Sequence, residues 1–505
     1  MAKYKHYDYS QSVMIPVSLE DQLIPGSLEF AIHTLLEERI DTSIFDDRYR
    51  NDETGRWAYD PKILLKVVLF GYSRGLISSR EIERACKENV TFMALACGQQ
   101  PDHSTIATFV SSMKVEISAL FRDVLLVCYE MDLLGGTFFA LDGSKLPSNA
   151  SKEWSGKHSD LNRKKEKIEK KVEQLLKEQE EADKRDDDER GGDSSGLSNR
   201  KRQIERLTKK AERIEKFLKE NDPKIGKVGK EIKSNITDNE SANMMTSHGT
   251  IQGYNGQALV DKEHQVIVHA EAFGEGQDQH HIPPMLDGAK ENMEEIGRGG
   301  DYFEDKILVA DVNYHGPVNL NKCEDEHLDA YIPDKDFRKR DPRFATQERW
   351  SSKKSKKYTL EDFQYNKEID EYVCPKGKRL KLNTKKIISD GIIYRRYYAD
   401  AKDCMKCESK GRCIRVKKGK RRCLMVPIGN VAGNLTKEMA QKVDTEEGRN
   451  IYHQRIAIVE PVFANIKCMK RLDRFTLRGK IKVNIQWVLY CMVHNICKIM
   501  RYGFT

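Results

Sequence analysis

The sequence predicts a mixed α/β catalytic core that follows a domain of short helices. Two short apolar runs, residues 137–141 and 307–310, each lead directly into an aspartate, which is the pattern of buried strands that carry acids. A series of capped helical segments fills the first 130 residues. We therefore predict a helical domain over residues 1–130 and a catalytic domain over residues 131–505.

The segments of the first domain begin at recognisable caps. Asp60 precedes Pro61, so it can cap a helix whose first position holds proline. Ser78 and Glu81 have the spacing of a capping box, and Asp102 precedes another apolar-periodic segment. Such short helices are typical of a helix-turn-helix that reads DNA, and equally of a domain for helical packing or dimerisation.

The length and composition indicate a multidomain protein without a membrane span. A chain of 505 residues exceeds what one hydrophobic core usually organises. No stretch approaches the roughly 20 uninterrupted apolar residues of a transmembrane helix, and the N-terminus lacks the apolar segment of a secretion signal. We therefore expect a cytoplasmic protein that makes no membrane contact.

A long charged segment interrupts the catalytic domain over residues 158–222. Its apolar residues recur at steps of three, four and seven, as in heptads: Leu161, Ile168, Val172, Leu175, Ile204, Leu207, Ala211, Ile214 and Leu218. A glycine- and serine-rich break at residues 191–196 divides them into two helices. We predict an antiparallel coiled-coil hairpin that projects as an arm and rests on the body or a partner, because two or three heptads alone are marginal.

Beyond the arm, the chain returns to strands. Alternation around glycines over residues 249–270 predicts a hairpin or meander, and the later run 307–310 ends at Asp311 as the earlier run ends at Asp142. Strand ends hold their side chains on a rigid scaffold that a divalent cation can still reach. The two aspartates therefore form a candidate half of a metal site.

A later helix supplies a third acid. Its buried stripe is predicted from residues at helical spacing, which are Tyr452, Ile456, Val459, Phe463 and Ile466. Glu460 and Lys467 are seven residues apart, so they share a neighbouring face and can point together toward the metals. Pro461 should either kink this helix or start a new one.

Three carboxylates suit phosphodiester chemistry. Two Mg²⁺ ions roughly 3.5–4 Å apart can activate the attacking oxygen and stabilise the leaving one, and oxygen ligands favour Mg²⁺ or Mn²⁺. We predict Asp142, Asp311 and Glu460 as catalytic metal ligands. Arg455 and Lys467 would contact phosphate or screen developing charge.

A basic, cysteine-bearing insertion is predicted over residues 345–426. Residues 351–422 contain 23 Lys and Arg against 9 Asp and Glu, a local excess of 14 that suits a polyanion. Four thiolates suit structural zinc, and the candidate ligands are Cys374, Cys404, Cys407 and Cys413, with Cys423 ten residues later. The alternative is a group of unligated thiols in a basic loop. Zinc would fold the insertion and so present its basic residues to DNA.

Together these residues resemble the DDE-class insertion-sequence transposases, in the branch with a tyrosine-arginine-glutamate-lysine signature around the last acid. The resemblance covers nearly the whole chain apart from the arm. It rests on Leu141-Asp142-Gly143-Ser144, Gln252-Gly253-Tyr254-Asn255, Ala310-Asp311, Tyr452, Arg455, Glu460, Lys467 and His494-Asn495. The usual signature has three residues between arginine and glutamate, whereas here there are four.

The resemblance implies an RNase H-like fold whose adjacent strands bring the first two acids together. It also implies nicking of double-stranded DNA at the element's ends by water, then attack of the freed 3′ hydroxyl on target DNA, within a homodimer on paired ends. Tyr452, Arg455 and Lys467 would contact the DNA, and the protein would associate with the nucleoid when bound.

Three other functions fit parts of the sequence. A metal-dependent nuclease would cleave without joining, so only the products separate it from a transposase. A DNA-binding regulator descended from a transposase would keep the helical and zinc modules, although the presence of all three acids favours an enzyme. A coiled-coil scaffold would explain only residues 161–218 and would predict salt-insensitive behaviour toward DNA.

Overall fold

The computed structural model describes residues 18–49, 57–186, 194–226, 229–247, 249–300, 302–344, 346, 357–389, 392–414, 419–428 and 431–503. The chain divides into two compact units. The first comprises residues 1–133, 465–472 and 488–505, and the second comprises residues 134–464 and 473–487. Part of the C-terminal end therefore belongs to the same unit as the N-terminal helices.

The first unit is helical at its N-terminal end. Its helices are α1 (Leu28–Glu38), α2 (Pro61–Ser73), α3 (Ser79–Glu88), α4 (Val90–Leu95), α5 (His103–Ser112) and α6 (Glu116–Glu130). The predicted caps are confirmed. Asp60 and Asp102 accept hydrogen bonds from backbone N–H groups in the first turns of α2 and α5, and Ser78 with Glu81 forms a capping box before α3.

The second unit is built on strands β1 (Phe138–Pro147), β2 (Ser155–Gly156), β3 (Ser234–Asn235), β4 (Ala242–Thr246), β5 (Gly249–Asp261), β6 (Ile267–Phe273), β7 (Ile307–Ala310) and β8 (Asp329–Tyr331). Within the described residues, all but β2 and β3 form one sheet. β1 is antiparallel to β5 and parallel to β7, which is parallel to β8, while β4 and β6 both pair antiparallel with β5. The mixed α/β class is confirmed, and this strand order is consistent with an RNase H-like core.

The arm leaves the sheet through the short β2–β3 ladder. Its helices α7 (His158–Asp186) and α8 (Ser194–Glu220) run antiparallel, since Lys165 on α7 lies 4.0 Å from Glu215 near the end of α8, and Arg200 at the start of α8 donates to the carbonyl of Glu178. Leu161, Ile214 and Phe217 form a buried cluster at its base. Most of the predicted turn, residues 191–193, lies outside the described residues, and heptad packing stays a prediction.

Helices pack on the sheet of the second unit and continue beyond it. The helices after the arm are α9 (Ile282–Glu295), α10 (Pro317–Asp325), α11 (Phe337–Arg340), the short α12 (Ala401–Met405) and α13 (Lys410–Cys413) of the insertion, α14 (Val431–Asp444), α15 (Glu446–Ala464) and α16 (Lys480–Tyr502), whose last residues belong to the first unit. α9 contacts β5 and β6, while α15 contacts β1, β5, β7 and β8. The candidate third acid therefore lies on a helix that packs on the strands carrying the first two.

The cysteine-bearing insertion contains a second sheet. Its strands are β9 (Gln364–Asn366), β10 (Glu371–Val373), β11 (Arg379–Ser389), β12 (Ile392–Ala399) and β13 (Cys423–Pro427), and each pairs antiparallel with the next. A small core of its own holds it together: Phe363, Tyr372, Leu380, Tyr397, Ala399 and Leu424. Across the described residues, no helix is long and apolar enough to cross a membrane.

Candidate active site

Asp142 and Asp311 are brought side by side by strand register. Leu141 on β1 pairs in parallel with Ala310, the last residue of β7, and each is followed in the chain by an aspartate. Neighbouring strands lie about 4.8 Å apart. Asp142 is not at the end of its strand as predicted, because β1 continues to Pro147 along its antiparallel partner β5. The edge at which the acids meet is set by the end of β7 instead.

Arg455 neutralises Asp142. One guanidinium N–H, at Nη1, donates to Oδ2 of Asp142 at 2.6 Å, and the Gly143 backbone N–H donates to Oδ1 at 2.8 Å. The pKa of Asp142 is nevertheless raised to about 6, because burial and the negative charge of Asp311 outweigh the lowering by Arg455 and by the Gly143 N–H. The site therefore holds a carboxylate whose charge is costly to maintain, a feature that is common in functional sites.

Tyr452 joins Arg455 at this position. The two residues are three apart on α15 and thus share a face. Tyr452 is buried against the ring of Phe337 at a centroid distance of 5.3 Å, and burial raises its pKa, as does the charge of Asp311. The structure therefore places two residues of the predicted signature beside the two aspartates.

The predicted stripe of α15 needs one correction. Tyr452, Val459 and Ile466 are buried as predicted, but Ile456 is 52% exposed, while the neighbouring Arg455 is 8% exposed. The apolar periodicity fails here because an ion pair with Asp142 draws the arginine inward. The spacing of apolar residues in the sequence does not predict such an ion pair.

Glu460 and Lys467 are both exposed and do not follow one α-helix. Glu460 lies on α15, which ends at Ala464, and Lys467 lies in the π-helical segment Asn465–Met469. The predicted common face rested on an uninterrupted α-helical spacing, which the π-helical turn removes. Among the residues that the structure describes, no group of three or more His, Cys, Asp or Glu is arranged to hold a metal ion, so Glu460 is not grouped with Asp142 and Asp311.

Pro461 lies inside α15 and does not start a new helix. Proline has no N–H, so the carbonyl four residues earlier, that of Ala457, loses its helical donor. The side-chain amide of Gln265, from the turn between β5 and β6, donates to this carbonyl at 3.0 Å. Gln265 thus supplies the hydrogen bond that proline cannot donate. The Ala457 carbonyl that accepts it lies about one helical turn before Glu460.

A double-mutant cycle tests this replacement. Gln265→Ala alone is expected to lower the free energy of unfolding by about 1 kcal/mol, because the Ala457 carbonyl loses its donor. In a Pro461→Ala background the restored helical N–H occupies that carbonyl, so Gln265→Ala should cost markedly less. Urea denaturation of the four proteins measures the coupling, and purely additive effects would show that Gln265 does not serve this carbonyl.

Asn255 and Gln257 of β5 belong to a buried polar network. Oδ1 of Asp278 accepts hydrogen bonds from Asn255 at 2.6 Å and Gln257 at 2.9 Å, and Tyr314 donates to Gln257. A Cβ at Gly143 would lie 2.0 Å from Nε2 of Gln257, so the residue after Asp142 must be glycine for this packing. Sequence analysis missed Gln257 and Tyr314. The polar residues at alternate positions of β5, an otherwise buried strand, could have indicated Gln257.

The four predicted cysteines line the same cavity of the insertion but, within the described part of the chain, are not arranged as a metal-holding group. Cys374, Cys404, Cys407 and Cys413 line one cavity of about 30 Å³. Burial raises the pKa of Cys404 and Cys413, and the neighbouring thiols contribute. Cys423 does not line this cavity and lies on β13 opposite Tyr398. The sequence spacing therefore selected thiols that are close in space.

Two family models match the chain. One, described as "Transposase DDE domain", matches residues 373–500, and the other, "Transposase domain (DUF772)", matches residues 17–112. A comparison with curated proteins found no match. The first match includes Glu460, while Asp142 and Asp311 lie outside both matches.

The match at residues 373–500 to a DDE domain suggests a nucleic-acid-processing enzyme. Together the two matched regions support the predicted resemblance to DDE-class insertion-sequence transposases. The signature branch stays a prediction. The family implies DNA as the substrate.

Proposed function

We propose that this transposase cleaves double-stranded DNA at the ends of an insertion sequence and joins the freed ends to target DNA. The observation that carries the proposal is that Asp142 and Asp311 directly follow the paired residues Leu141 and Ala310 of two adjacent parallel strands, with Arg455 against Asp142. Family resemblance further supports a homodimer that holds two ends. The mass of the protein–DNA complex tests whether two chains are bound.

Asp142, Asp311 and Glu460 are the proposed ligands of the divalent cations. The carboxylate oxygens of the two aspartates suit Mg²⁺ or Mn²⁺, and α15 brings an exposed Glu460 to the same sheet. When bound, such ions supply charge neutralisation and activation of a hydroxyl or water at neutral pH.

Arg455 is proposed to position and neutralise Asp142, beyond the phosphate contact expected from sequence. Its side chain is only 9% exposed, and Nη1 already donates to the carboxylate. Tyr452, three residues earlier on the same helix, is buried as well. Lys467 is exposed and is the better candidate for phosphate contact.

Product analysis tests the proposed function. The purified chain is incubated with Mg²⁺ and labelled DNA that carries the element's ends. A transposase yields cleaved ends and longer joined products, and EDTA removes both. Cleavage that never gives joined products would favour the nuclease, while binding without cleavage in Mg²⁺ or Mn²⁺ would favour the regulator.

We also propose that Cys374, Cys404, Cys407 and Cys413 bind structural zinc and thereby order the insertion. The support is their common cavity together with the tetrahedral four-sulfur preference of Zn²⁺. The purified protein is expected to contain about one zinc per chain.

Single serine substitutions distinguish the ligands. Cys404→Ser is expected to lower zinc content at least severalfold, since one of four thiolates is lost. Cys423→Ser is the matched control and should leave zinc unchanged. Elemental mass spectrometry measures both, and wild-type protein without zinc would refute the site.

A further inference from the structure

A basic groove lies on the second unit, beside the base of the arm. It is a cavity of about 920 Å³, and the lysines that line it come from four separate parts of the chain: Lys145, Lys157, Lys224, Lys230, Lys233 and Lys480. The acidic residues in its described lining are Glu240 and Glu275. Positive charge therefore exceeds negative charge threefold.

Most of this charge is not neutralised by the fold. Lys480 is paired with Glu271 at 2.9 Å, whereas Lys145, Lys157, Lys230 and Lys233 form no ion pair within 4.0 Å among the described residues. Lys224 donates to the backbone carbonyl of Ser241 at 3.2 Å, and burial lowers its pKa. Gathering like charges and desolvating one of them costs free energy, so the groove is suited to a ligand that carries several negative charges.

The groove shares strand β1 with the candidate active site. Lys145 follows Asp142 by three residues, roughly 10 Å along the strand. Because the register is unbroken, alternation turns the two side chains to opposite faces of the sheet. The positive charge of Lys145 also acts on Asp278. Burial alone would raise the pKa of Asp278, but His281, Asn255 and Lys145 together hold it below its ordinary value.

The rest of the lining favours a duplex over a single strand. Single-stranded nucleic acid is usually held by open aromatic faces on which bases stack. The aromatic residue in the described lining is Phe273, and its ring is already stacked on His281 at 4.2 Å and contacted by Lys480. Exposed Ile225 and Met245, 61% and 81% exposed, offer apolar contact to sugars instead.

We propose that the basic groove binds the phosphate backbone of the duplex DNA on which the active site acts. The inference rests on the proposed function, because it places the DNA that enters the active site. It assigns to Lys145, Lys157, Lys230 and Lys233 a positioning role that does not depend on base sequence.

Salt-dependent binding without metal tests the groove. The affinity of full-length protein for a labelled duplex carrying the element's end is measured in EDTA by fluorescence anisotropy at several NaCl concentrations. The variant Lys157→Ala/Lys230→Ala/Lys233→Ala is compared with Lys209→Ala/Lys210→Ala/Lys216→Ala. The control removes the same charge from exposed positions of α8.

The groove variant is expected to bind more weakly than the control at every salt concentration. Its slope of log affinity against log salt should be shallower by roughly 2 to 3, because each lost phosphate contact removes about 0.9. Circular dichroism melts confirm that both variants are folded.

Equal slopes of log affinity against log salt for the two variants would contradict the proposed role of the groove in binding DNA. If the wild type cleaves DNA while the groove variant binds like the wild type, only the groove is wrong. A wild type that does not bind the duplex would overturn the proposed function as well.

Discussion

Asp142→Asn is expected to lower DNA cleavage and joining by about 10³-fold or more. Asparagine keeps the shape of the side chain but removes the charge that we propose holds the cations, and Asp311→Asn should act in the same way. DNA binding in EDTA should change little, because neither residue is expected to contact DNA directly. Asp325→Asn, an exposed acid at the end of α10, is the control.

The same substitution is expected to stabilise the metal-free fold above pH 6. The pKa of Asp142 is about 6 in the folded chain against 3.8 ordinarily, so the folded state binds this proton more tightly than the unfolded state. Its contribution to stability is therefore full below pH 4 and declines as the pH rises to 6. Asp142→Asn removes that decline and should gain up to about 2 kcal/mol at pH 7.5 but not at pH 4.

Urea denaturation in EDTA at both pH values measures this difference. A variant that loses activity and also loses stability at pH 7.5 would point to a structural role for Asp142. Normal cleavage by either asparagine variant would remove that residue from the proposed site.

Trp487→Ala is expected to lower the free energy of unfolding of the second unit by about 3–5 kcal/mol. Trp487 is fully buried, and its indole N–H donates to the Gln257 carbonyl at 2.8 Å. The ring lies against Gly256 of β5 and near Phe463 and Phe475. Its removal leaves a cavity between the sheet and α15, the helix that carries Arg455 and Glu460.

Gly256→Ala is the matched test of this contact. A Cβ at Gly256 would lie 2.9 Å from the Trp487 ring, so the substitution should destabilise the wild type. In the Trp487→Ala background the same methyl enters the cavity and should cost little or stabilise. Thermal melts of the four proteins give the comparison, and a Gly256→Ala effect that is independent of residue 487 would contradict it.

Local signals in the sequence predicted much of the fold. Asp60, Ser78 and Asp102 cap their helices because a side-chain oxygen near a free backbone N–H needs no tertiary partner. The antiparallel β5–β6 hairpin follows from glycine-punctuated alternation in the same way. The apolar runs before Asp142 and Asp311 predicted β1 and β7, because strands that are buried on both faces have nearly continuous apolar sequences.

The remaining features depend on contacts between distant residues. The sequence did not show that β1 would run past Asp142, because the extension is set by pairing with β5. Burial of Arg455 instead of Ile456 depends on Asp142, which is 313 residues away. The effect of Pro461 depends on Gln265, which lies 192 residues before the Ala457 carbonyl to which it donates.

Iron-directed cleavage of the protein backbone tests the central proposal, a shared metal site, most directly. Fe²⁺ that replaces Mg²⁺ generates radicals with ascorbate and peroxide, and these cut the chain next to its ligands. Our account predicts cuts near residues 142, 311 and 460 that excess Mg²⁺ and Asp142→Asn both suppress. Cuts at 142 and 311 without one near 460 would remove Glu460 from the site, and the absence of cuts near 142 and 311 would contradict the account.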